Sequence, residues 1–189
     1  MIKDLVLKNR SYRRFYQSEK IELSTLKGLI DLARVTASGA NLQPLKYIIS
    51  NDAVKNESIF KTLGWAGYLK DWKGPEEGEK PSAYIVIVND LSLSNNPSLD
   101  IGISAQSILL GAVEKDLGGC MLGNINKKEL AATLNLDGNF EIHLVIALGK
   151  PKEEVVIDQI GLSADVKYWR DVKGVHHVPK RSLNEIILE

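Results

Sequence analysis

The sequence predicts an α+β fold, and three observations favour it. Three apolar runs rich in β-branched residues end sharply at polar residues, as buried strands do. Other segments repeat apolar residues at helical spacing. Helices outnumber strands, and the two kinds of element follow one another in no regular order, which argues against strict βαβ alternation. A chain of 189 residues fits one domain with a sizeable core, and we expect that domain to span residues 1–189.

Five segments have the apolar spacing of α-helices. Ser24 is the expected N-cap of the second, and Asn126 with Glu129 has the spacing of a capping box at the start of the fifth. The fourth and longest is apolar around much of its circumference, so it needs packing partners on more than one side. The segments are a short opening helix around 2–6, then 25–37, 54–63, 99–117 and 126–134.

The three predicted strands are 46–50, 83–89 and 142–149, with the sequences KYIIS, AYIVIVN and IHLVIALG. A block rich in glycine, proline and charge, 70–82, lies just before the second strand. Its composition predicts an irregular loop, long enough for a mobile flap or a surface excursion.

Composition and charge exclude several classes of function. Lys plus Arg and Asp plus Glu number 24 each, so no charge excess points to nucleic acid or an anionic membrane. No run approaches the roughly 18 apolar residues of a spanning helix, and the N-terminus lacks a secretory apolar segment. The single cysteine, Cys120, excludes an internal disulfide and fits a small packed core residue. We expect a cytoplasmic protein without a nucleic-acid or membrane partner.

The common catalytic motifs are missing. The sequence has no G-x-G-x-x-G opening a helix, no P-loop, no H-E-x-x-H and no G-x-S-x-G. The histidines His143, His176 and His177 are too few and too scattered for a metal site, so we expect none. His176 and His177 are adjacent, so they would face opposite sides of a strand. If the protein is an enzyme, a bound cofactor is expected to carry its chemistry.

One polar cluster, NRSYRRF, follows the opening helix at residues 9–15. Arg10, Ser11, Arg13 and Arg14 place guanidinium groups and a hydroxyl within five residues. This set suits a phosphate, because arginine binds phosphate oxygens through two parallel hydrogen bonds. The alternative is a solvated basic helix end, favoured by the helix dipole.

A second cluster, ASGANLQP, spans residues 37–44. Gly39 and Pro44 are explained by the end of a helix. Ser38, Asn41 and Gln43 are left over, and they offer donors and acceptors to a planar heterocycle.

Two further segments contain residues that could contact a flat ligand or a phosphate. The glycines of LGGCMLGNINKKEL, residues 117–130, allow the backbone to approach a flat ligand closely, or simply form a turn between helices. Lys180 and Arg181 precede an apolar tail, where they could complete a phosphate pocket or keep the tail soluble.

Taken together and in this order, the four segments resemble the FMN-dependent nitroreductase family, of the NAD(P)H:flavin oxidoreductase type. The family pattern is R-R/S-S-x-R-x-F, then P/A-S-x-x-N-x-Q-P, then L-G-x-x-x-x-G, then a basic residue near the C-terminus. Here these read NRSYRRF, ASGANLQP, LGGCMLG and VPKRSL. The resemblance covers most of the chain and is weakest over 64–98.

The resemblance implies an α+β fold with a central antiparallel sheet surrounded by helices. It also implies a two-fold homodimer whose C-terminal segment extends onto the partner, with FMN at the interface. The residues that it assigns to FMN are Arg10, Ser11, Arg13, Ser38, Gly39, Asn41, Gln43, Leu122, Gly123, Asn124, Lys180 and Arg181.

The implied roles differ between the segments. Arg10, Ser11, Lys180 and Arg181 hold the phosphate, and Arg13 lies by the N1–C2=O edge of the flavin. The isoalloxazine ring meets Ser38, Gly39 and Asn41 from the opposite subunit, while Gln43 holds that loop or reaches the cofactor. At the other edge of the ring are Leu122, Gly123 and Asn124.

The implied activity is hydride transfer from NAD(P)H through FMN to a flat, electron-poor acceptor such as a nitroaromatic or a quinone, in a ping-pong sequence. No side chain is expected to be catalytic, and Arg13 tunes the flavin. The alternatives are an FMN storage or sensor protein, and a different enzyme on the same fold, such as a dehalogenase or a flavin-destroying enzyme. Asn9 replaces a basic residue, Leu45 replaces a tryptophan, and no Asn-x-x-Lys segment occurs in 64–82.

Overall fold

The computed structural model describes residues 1–188, and a four-stranded antiparallel sheet lies at its centre. Three of the strands confirm the sequence prediction, and the fourth, β3, lies in the glycine-rich segment that was expected to be a loop. The sheet order is β1-β2-β4-β3. The strands are β1 (Leu45–Ser50), β2 (Ala83–Asp90), β3 (Gly118–Leu122) and β4 (Phe140–Gly149).

All five predicted helices are present, with shifted ends. They are α1 (Ile2–Lys8), α2 (Leu23–Arg34), α3 (Ala53–Phe60), α4 (Ser98–Glu114) and α5 (Lys127–Thr133). No helix within residues 1–188 is both long enough and apolar enough to cross a membrane.

The predicted helix caps had different outcomes. The prediction for α5 is confirmed, because the Asn126 side chain accepts a hydrogen bond from the Glu129 backbone N–H. The prediction for α2 is wrong: the N-cap is Glu22, which has extended backbone angles, and Ser24 lies inside the first turn. The helix also ends at Arg34 and not at residue 37, so Ser38 begins a separate loop.

Helices cover both faces of the sheet, which gives three layers. Side chains alternate along β2: Ile85 and Ile87 pack with α2 and α4, while Tyr84 and Val86 belong to the core on the opposite face. Cys120 is buried in that second core, as expected, and burial raises the pKa of its thiol. Contacts of α4 with α1, α2, β3 and β4 confirm that the longest helix packs on several sides.

A second, small sheet follows β4 and was not predicted. It consists of β5 (Val155–Ile160), β6 (Trp169–Arg170) and β7 (His176–Arg181), in the order β5-β7-β6. β7 pairs in parallel with β5 and antiparallel with β6. Charged and proline residues in β7, and the two-residue length of β6, hide these strands from pattern recognition.

The loop before β2 is anchored to the N-terminal segment by an ion pair. Both oxygens of Glu79 accept hydrogen bonds from Arg14, at 2.5 and 2.6 Å, and Lys152 Nζ lies 2.9 Å away. The Arg14 hydrogen bonds, with Lys152, lower the pKa of Glu79 to about 2. Arg14 therefore has a structural partner and is not directed at a ligand.

Glu79→Gln is expected to lower the free energy of unfolding by about 1–3 kcal/mol at neutral pH, because it removes charged hydrogen bonds. Since the folded pKa is depressed, this stabilisation is complete above the ordinary value of 4.5 and is lost as the pH falls towards 2. Urea unfolding of both proteins at pH 7 and at lower pH measures the difference, which should shrink on acidification. The exposed neighbour Glu77, changed to Gln, is the control; an equal effect of both changes would contradict the prediction.

Candidate functional site

A cavity of about 370 Å³ lies between the N-terminal segment, α4 and β7, and we name it the basic cavity. It contains four of the predicted FMN residues: Arg10, Ser11, Arg13 and Lys180. Its remaining wall mixes amide, aromatic and apolar side chains. These are Asn9, Gln106, Leu109, Met121, Tyr168, His176 and Val178.

The glycines of β3 bring the N-terminal segment into this position. Ser11 forms a bridge with Gly119, and the Tyr12 backbone N–H donates to the Gly119 carbonyl at 3.0 Å. A Cβ atom on Gly118 would lie 2.5 Å from the Tyr12 ring, closer than such atoms approach. These two glycines therefore make room for the protein's own chain, whereas the sequence had led us to expect room for a flat ligand.

Arg13 is buried and held from several directions. Its Nη1 donates to the Ser11 carbonyl at 3.2 Å and lies 3.0 Å from His176 Nε2. The guanidinium carbon lies 4.6 Å from the centroid of the Tyr168 ring, a cation–π contact. Its backbone N–H donates to the buried carboxylate of Glu153. The side chain is thus fixed in one orientation.

His176 and His177 face opposite sides of β7, as their adjacency predicted. His176 is fully buried, and desolvation, with Arg13, Arg170 and His177 nearby, lowers its pKa to about 4. The neutral ring then accepts from Arg13 through Nε2, and its Nδ1 has no partner in the described part of the chain. His177 stacks on Trp169 and lies 2.9 Å from an Asp158 oxygen.

A second cavity, of about 450 Å³, lies beside the loop 38–43, and we name it the loop cavity. Ser38 and Gln43 line it, together with Tyr47, Asp100 and Ser104. Asp100 organises the loop, because its carboxylate accepts from Ser38 Oγ at 2.5 Å and from the Gly39 backbone N–H at 2.9 Å.

The loop has an unusual backbone conformation, which hydrogen bonds from Asp100 and from within the loop must hold in place. Ala40, Asn41 and Gln43 have φ angles of 47°, 55° and 51°, which non-glycine residues adopt at a cost. The Gln43 backbone N–H donates to Ser38 Oγ at 2.9 Å, and its side chain donates to the Asn41 carbonyl at 3.2 Å. Part of the amide and hydroxyl content of this segment therefore holds the loop itself.

The two cavities lie on opposite sides of α4. Asp100 and Ser104 face the loop cavity, while Gln106 and Leu109 face the basic cavity. At 3.6 residues per turn, the second pair points roughly half a turn away from the first. Within residues 1–188 the cavities share no lining residue. One chain alone does not bring its two sets of predicted FMN residues together.

The remaining predicted residues lie outside both cavities. The Leu122 side chain is buried in the core, whereas Gly123 and Asn124 are exposed just after β3, where the Asn124 carbonyl accepts from the Gly64 N–H at 2.8 Å. Arg181 donates to the Leu162 carbonyl at 2.7 Å. Lys180 and Arg181 separate because neighbours on a strand face opposite ways.

Sequence reasoning missed four side chains that shape these sites: Asp100, Glu153, Tyr168 and His176. An acidic residue in the first turn of a helix, such as Asp100, is common and carries no specific signal. The other three lie in the segment after β4, whose contact with Arg13 depends on tertiary structure. Residues 1–188 contain no group of three or more His, Cys, Asp or Glu side chains able to hold a metal.

Comparison with known proteins shows which family the chain belongs to. A family model described as the Nitroreductase family matches residues 6–150. A nitroreductase family protein from Streptococcus pneumoniae superposes with a TM-score of 0.72 at 15% identity, covering 100% of both chains. An FMN-dependent nitroreductase from Clostridium difficile gives 0.65 at 24% identity, over 82% of this chain and 89% of that one.

A third structure, an NADPH:FMN oxidoreductase from Vibrio harveyi complexed with NAD+, gives a TM-score of 0.63 at 21% identity, over 80% of this chain and 69% of that one. These likenesses show a shared fold. Because the family model matches well over half of the 189 residues, the protein belongs to the nitroreductase family.

Proposed function

We propose that this protein is an FMN-dependent oxidoreductase that takes hydride from NAD(P)H and passes electrons to a flat, electron-poor acceptor such as a nitroaromatic or a quinone. Membership of the nitroreductase family supports this proposal. So do two structures with the same fold, an FMN-dependent nitroreductase and an NADPH:FMN oxidoreductase.

The donor set of the basic cavity fits FMN. Arg10, Ser11 and Lys180 offer two cations and a hydroxyl to a phosphate, while Leu109 and Met121 offer apolar surface to a ring. Arg10 Nη2 donates to the Val6 carbonyl at 2.7 Å, but its buried Nε has no partner among the described residues. A buried guanidinium donor without an acceptor is costly, and an anionic ligand would satisfy it.

The position of the two cavities on opposite sides of α4 carries the proposal further. A ligand that meets both sets of predicted residues needs the loop of a second subunit, so we infer a homodimer with FMN bound between the subunits. Exposed apolar side chains on α1, on α4 and after β7 are available for that contact. They are Ile2, Val6, Leu7, Leu99, Ile103, Leu183, Ile186, Ile187 and Leu188.

Bound FMN would supply the hydride and electron chemistry. Arg13 contributes a fixed positive charge in a buried site, where charge stabilisation is strong and requires no reorganisation. If the N1–C2=O edge of FMN lies beside Arg13, this charge would favour electron uptake. The loop 38–43 of the other subunit would supply Ser38, Gly39 and Asn41, and Gln43 stabilises that loop. Leu122, Gly123 and Asn124 would contact the far edge of the flavin ring through their backbone.

The nicotinamide and the acceptor would use the same face of the bound flavin in turn, which would give ping-pong kinetics. Neither His176 nor Cys120 is suited to act as an acid or base for the acceptor, because His176 is buried and neutral and Cys120 is buried in the core. We therefore expect acceptor choice to depend on shape and on electron affinity.

The visible spectrum tests the proposal. Purified protein saturated with FMN should lose its flavin colour when NADH or NADPH is added without air, and should regain it when a nitroaromatic or quinone follows. Heat-treated protein with the same FMN is the control for free flavin. Colour that persists would favour a storage or sensor protein, and failure to bind FMN would refute the proposal outright.

A further inference from the structure

We propose that His176 is a positioning residue for Arg13: its neutral imidazole holds the guanidinium in the basic cavity and thereby sets how strongly the protein favours reduced over oxidised flavin. The inference rests on the proposed function and deepens it. It concerns a residue of β7, which lies beyond the region matched by the family model.

The orientation of Arg13 depends on three contacts from different parts of the chain. The Ser11 carbonyl and His176 Nε2 are hydrogen-bond partners of Nη1, at 3.2 and 3.0 Å, and the Tyr168 ring stacks against the guanidinium. Of these partners, only the His176 side chain is buried completely and held on a strand. Its backbone N–H donates to the Glu154 carbonyl at 2.9 Å, and it pairs with Val155 across the sheet.

No carboxylate of the described residues pairs with the Arg13 guanidinium, and for this reason a neutral partner such as His176 matters. Glu153, a buried carboxylate, accepts from the Arg13 backbone N–H and directs its second oxygen to Arg170 Nη2 at 2.9 Å. Within residues 1–188 the Arg13 guanidinium itself forms no ion pair with a carboxylate. A carboxylate in place of His176 would hold Arg13 equally well but would cancel much of its charge.

Neutrality of the imidazole is a condition of this arrangement. A protonated ring has donors on both nitrogens and could not accept from Arg13. Complete burial, and the positive charges of Arg13 and Arg170, keep the ring neutral at physiological pH, in agreement with its lowered pKa. The proton of the neutral ring must then lie on Nδ1, because Nε2 is the acceptor.

Two substitutions of His176 distinguish the effect of its hydrogen-bond acceptor from the effect of its side-chain volume. His176→Leu removes the acceptor and keeps an apolar filling, whereas His176→Gln keeps an oxygen that can accept from Arg13. His177→Gln is the matched control, since His177 lies on the opposite face of the strand with Asp158 as its partner. The measurements are the FMN reduction potential and the dissociation constant of oxidised FMN.

For His176→Leu we expect the ratio of reduced-flavin to oxidised-flavin affinity to fall about tenfold, which is a potential about 30 mV lower for a two-electron couple. His176→Gln and His177→Gln should stay close to the unmodified protein. A potential unchanged in a folded His176→Leu protein would overturn the inference. So would an equal drop in the leucine and glutamine variants, because the acceptor would then not be the cause.

A second measurement applies even if His176→Leu does not fold. Nitrogen NMR of the unmodified protein at neutral pH should show His176 as a neutral ring with its proton on Nδ1, and a proton on Nε2 would refute the arrangement. Failure of the unmodified protein to bind FMN, or to be reduced by NAD(P)H, would instead count against the proposed function. The two failures are therefore distinguishable.

Discussion

Replacing Arg10 and Lys180 together with alanine should weaken FMN binding by about two to four powers of ten. Each substitution removes a charge-assisted hydrogen bond worth roughly 1.5–3 kcal/mol, and each 1.4 kcal/mol is a factor of ten in the dissociation constant. Both side chains line the basic cavity, and the unpartnered Nε of Arg10 has no competing acceptor among the described residues. Titration of the cofactor-free protein, followed by quenching of flavin fluorescence, measures the loss.

Riboflavin and Arg181 provide two controls for this result. Riboflavin lacks the phosphate, so its affinity should change little in the double variant, and the preference for FMN over riboflavin should largely disappear. Arg181→Ala should leave FMN affinity nearly unchanged, because this guanidinium donates to the Leu162 carbonyl outside the cavity. Equal losses for FMN and riboflavin would place the phosphate elsewhere.

Replacing Asp100 with alanine should have the second largest effect, because it releases the loop 38–43. The carboxylate accepts from Ser38 Oγ and the Gly39 N–H, so its loss removes two hydrogen bonds to a charged group. These bonds stabilise a loop in which Ala40, Asn41 and Gln43 have left-handed backbone angles. We expect the free energy of unfolding to fall by about 2–4 kcal/mol and FMN affinity to fall at least tenfold.

Asp100→Asn separates loop anchoring from general damage to α4. Its amide oxygen can still accept from the Gly39 N–H, so it should retain more affinity than the alanine variant. Urea unfolding and FMN titration of both proteins give the comparison. Undiminished FMN affinity in the alanine variant would mean that the loop conformation does not depend on Asp100.

Local sequence patterns predicted most of the central architecture. The strands β1, β2 and β4 were recognisable because most of their residues are buried or half-buried and each contains at least two β-branched residues. The cap of α5 was recognisable because Asn126 and Glu129 interact within one turn. In both cases the signal lies in a few consecutive residues of the sequence.

The elements that the sequence did not predict depend on contacts between distant parts of the chain. β3 was missed because its sequence, GGCML, owes its strand conformation to pairing with β4 and to the close approach of Tyr12. The small sheet was missed because β5 pairs with a strand about twenty residues later, through residues of mixed polarity. Local propensity is a weak guide where tertiary contacts decide the conformation.

The candidate site shows the same division. Arg10, Ser11, Arg13 and Lys180 were named from the sequence, and the structure brings them into one cavity. Asp100 and His176, which fix the orientation of the predicted groups, are 61 and 163 residues away from Gly39 and Arg13. A spacing pattern finds residues that are close in sequence, whereas supporting residues can come from any part of the chain.

The central claim is that one FMN site combines the basic cavity of one subunit with the loop of the other. Mixed dimers test it most directly, made by co-expressing the Arg10→Ala/Lys180→Ala chain and the Asp100→Ala chain with different affinity tags. In a shared arrangement, one of the two sites receives both defects and the other receives none. At an FMN concentration near the dissociation constant of the unmodified protein, where each parent binds little FMN, the mixed dimer should therefore recover about half of the NAD(P)H-dependent activity. A mixed dimer as inactive as its parents would contradict the claim, since each site would then take both of its halves from a single chain.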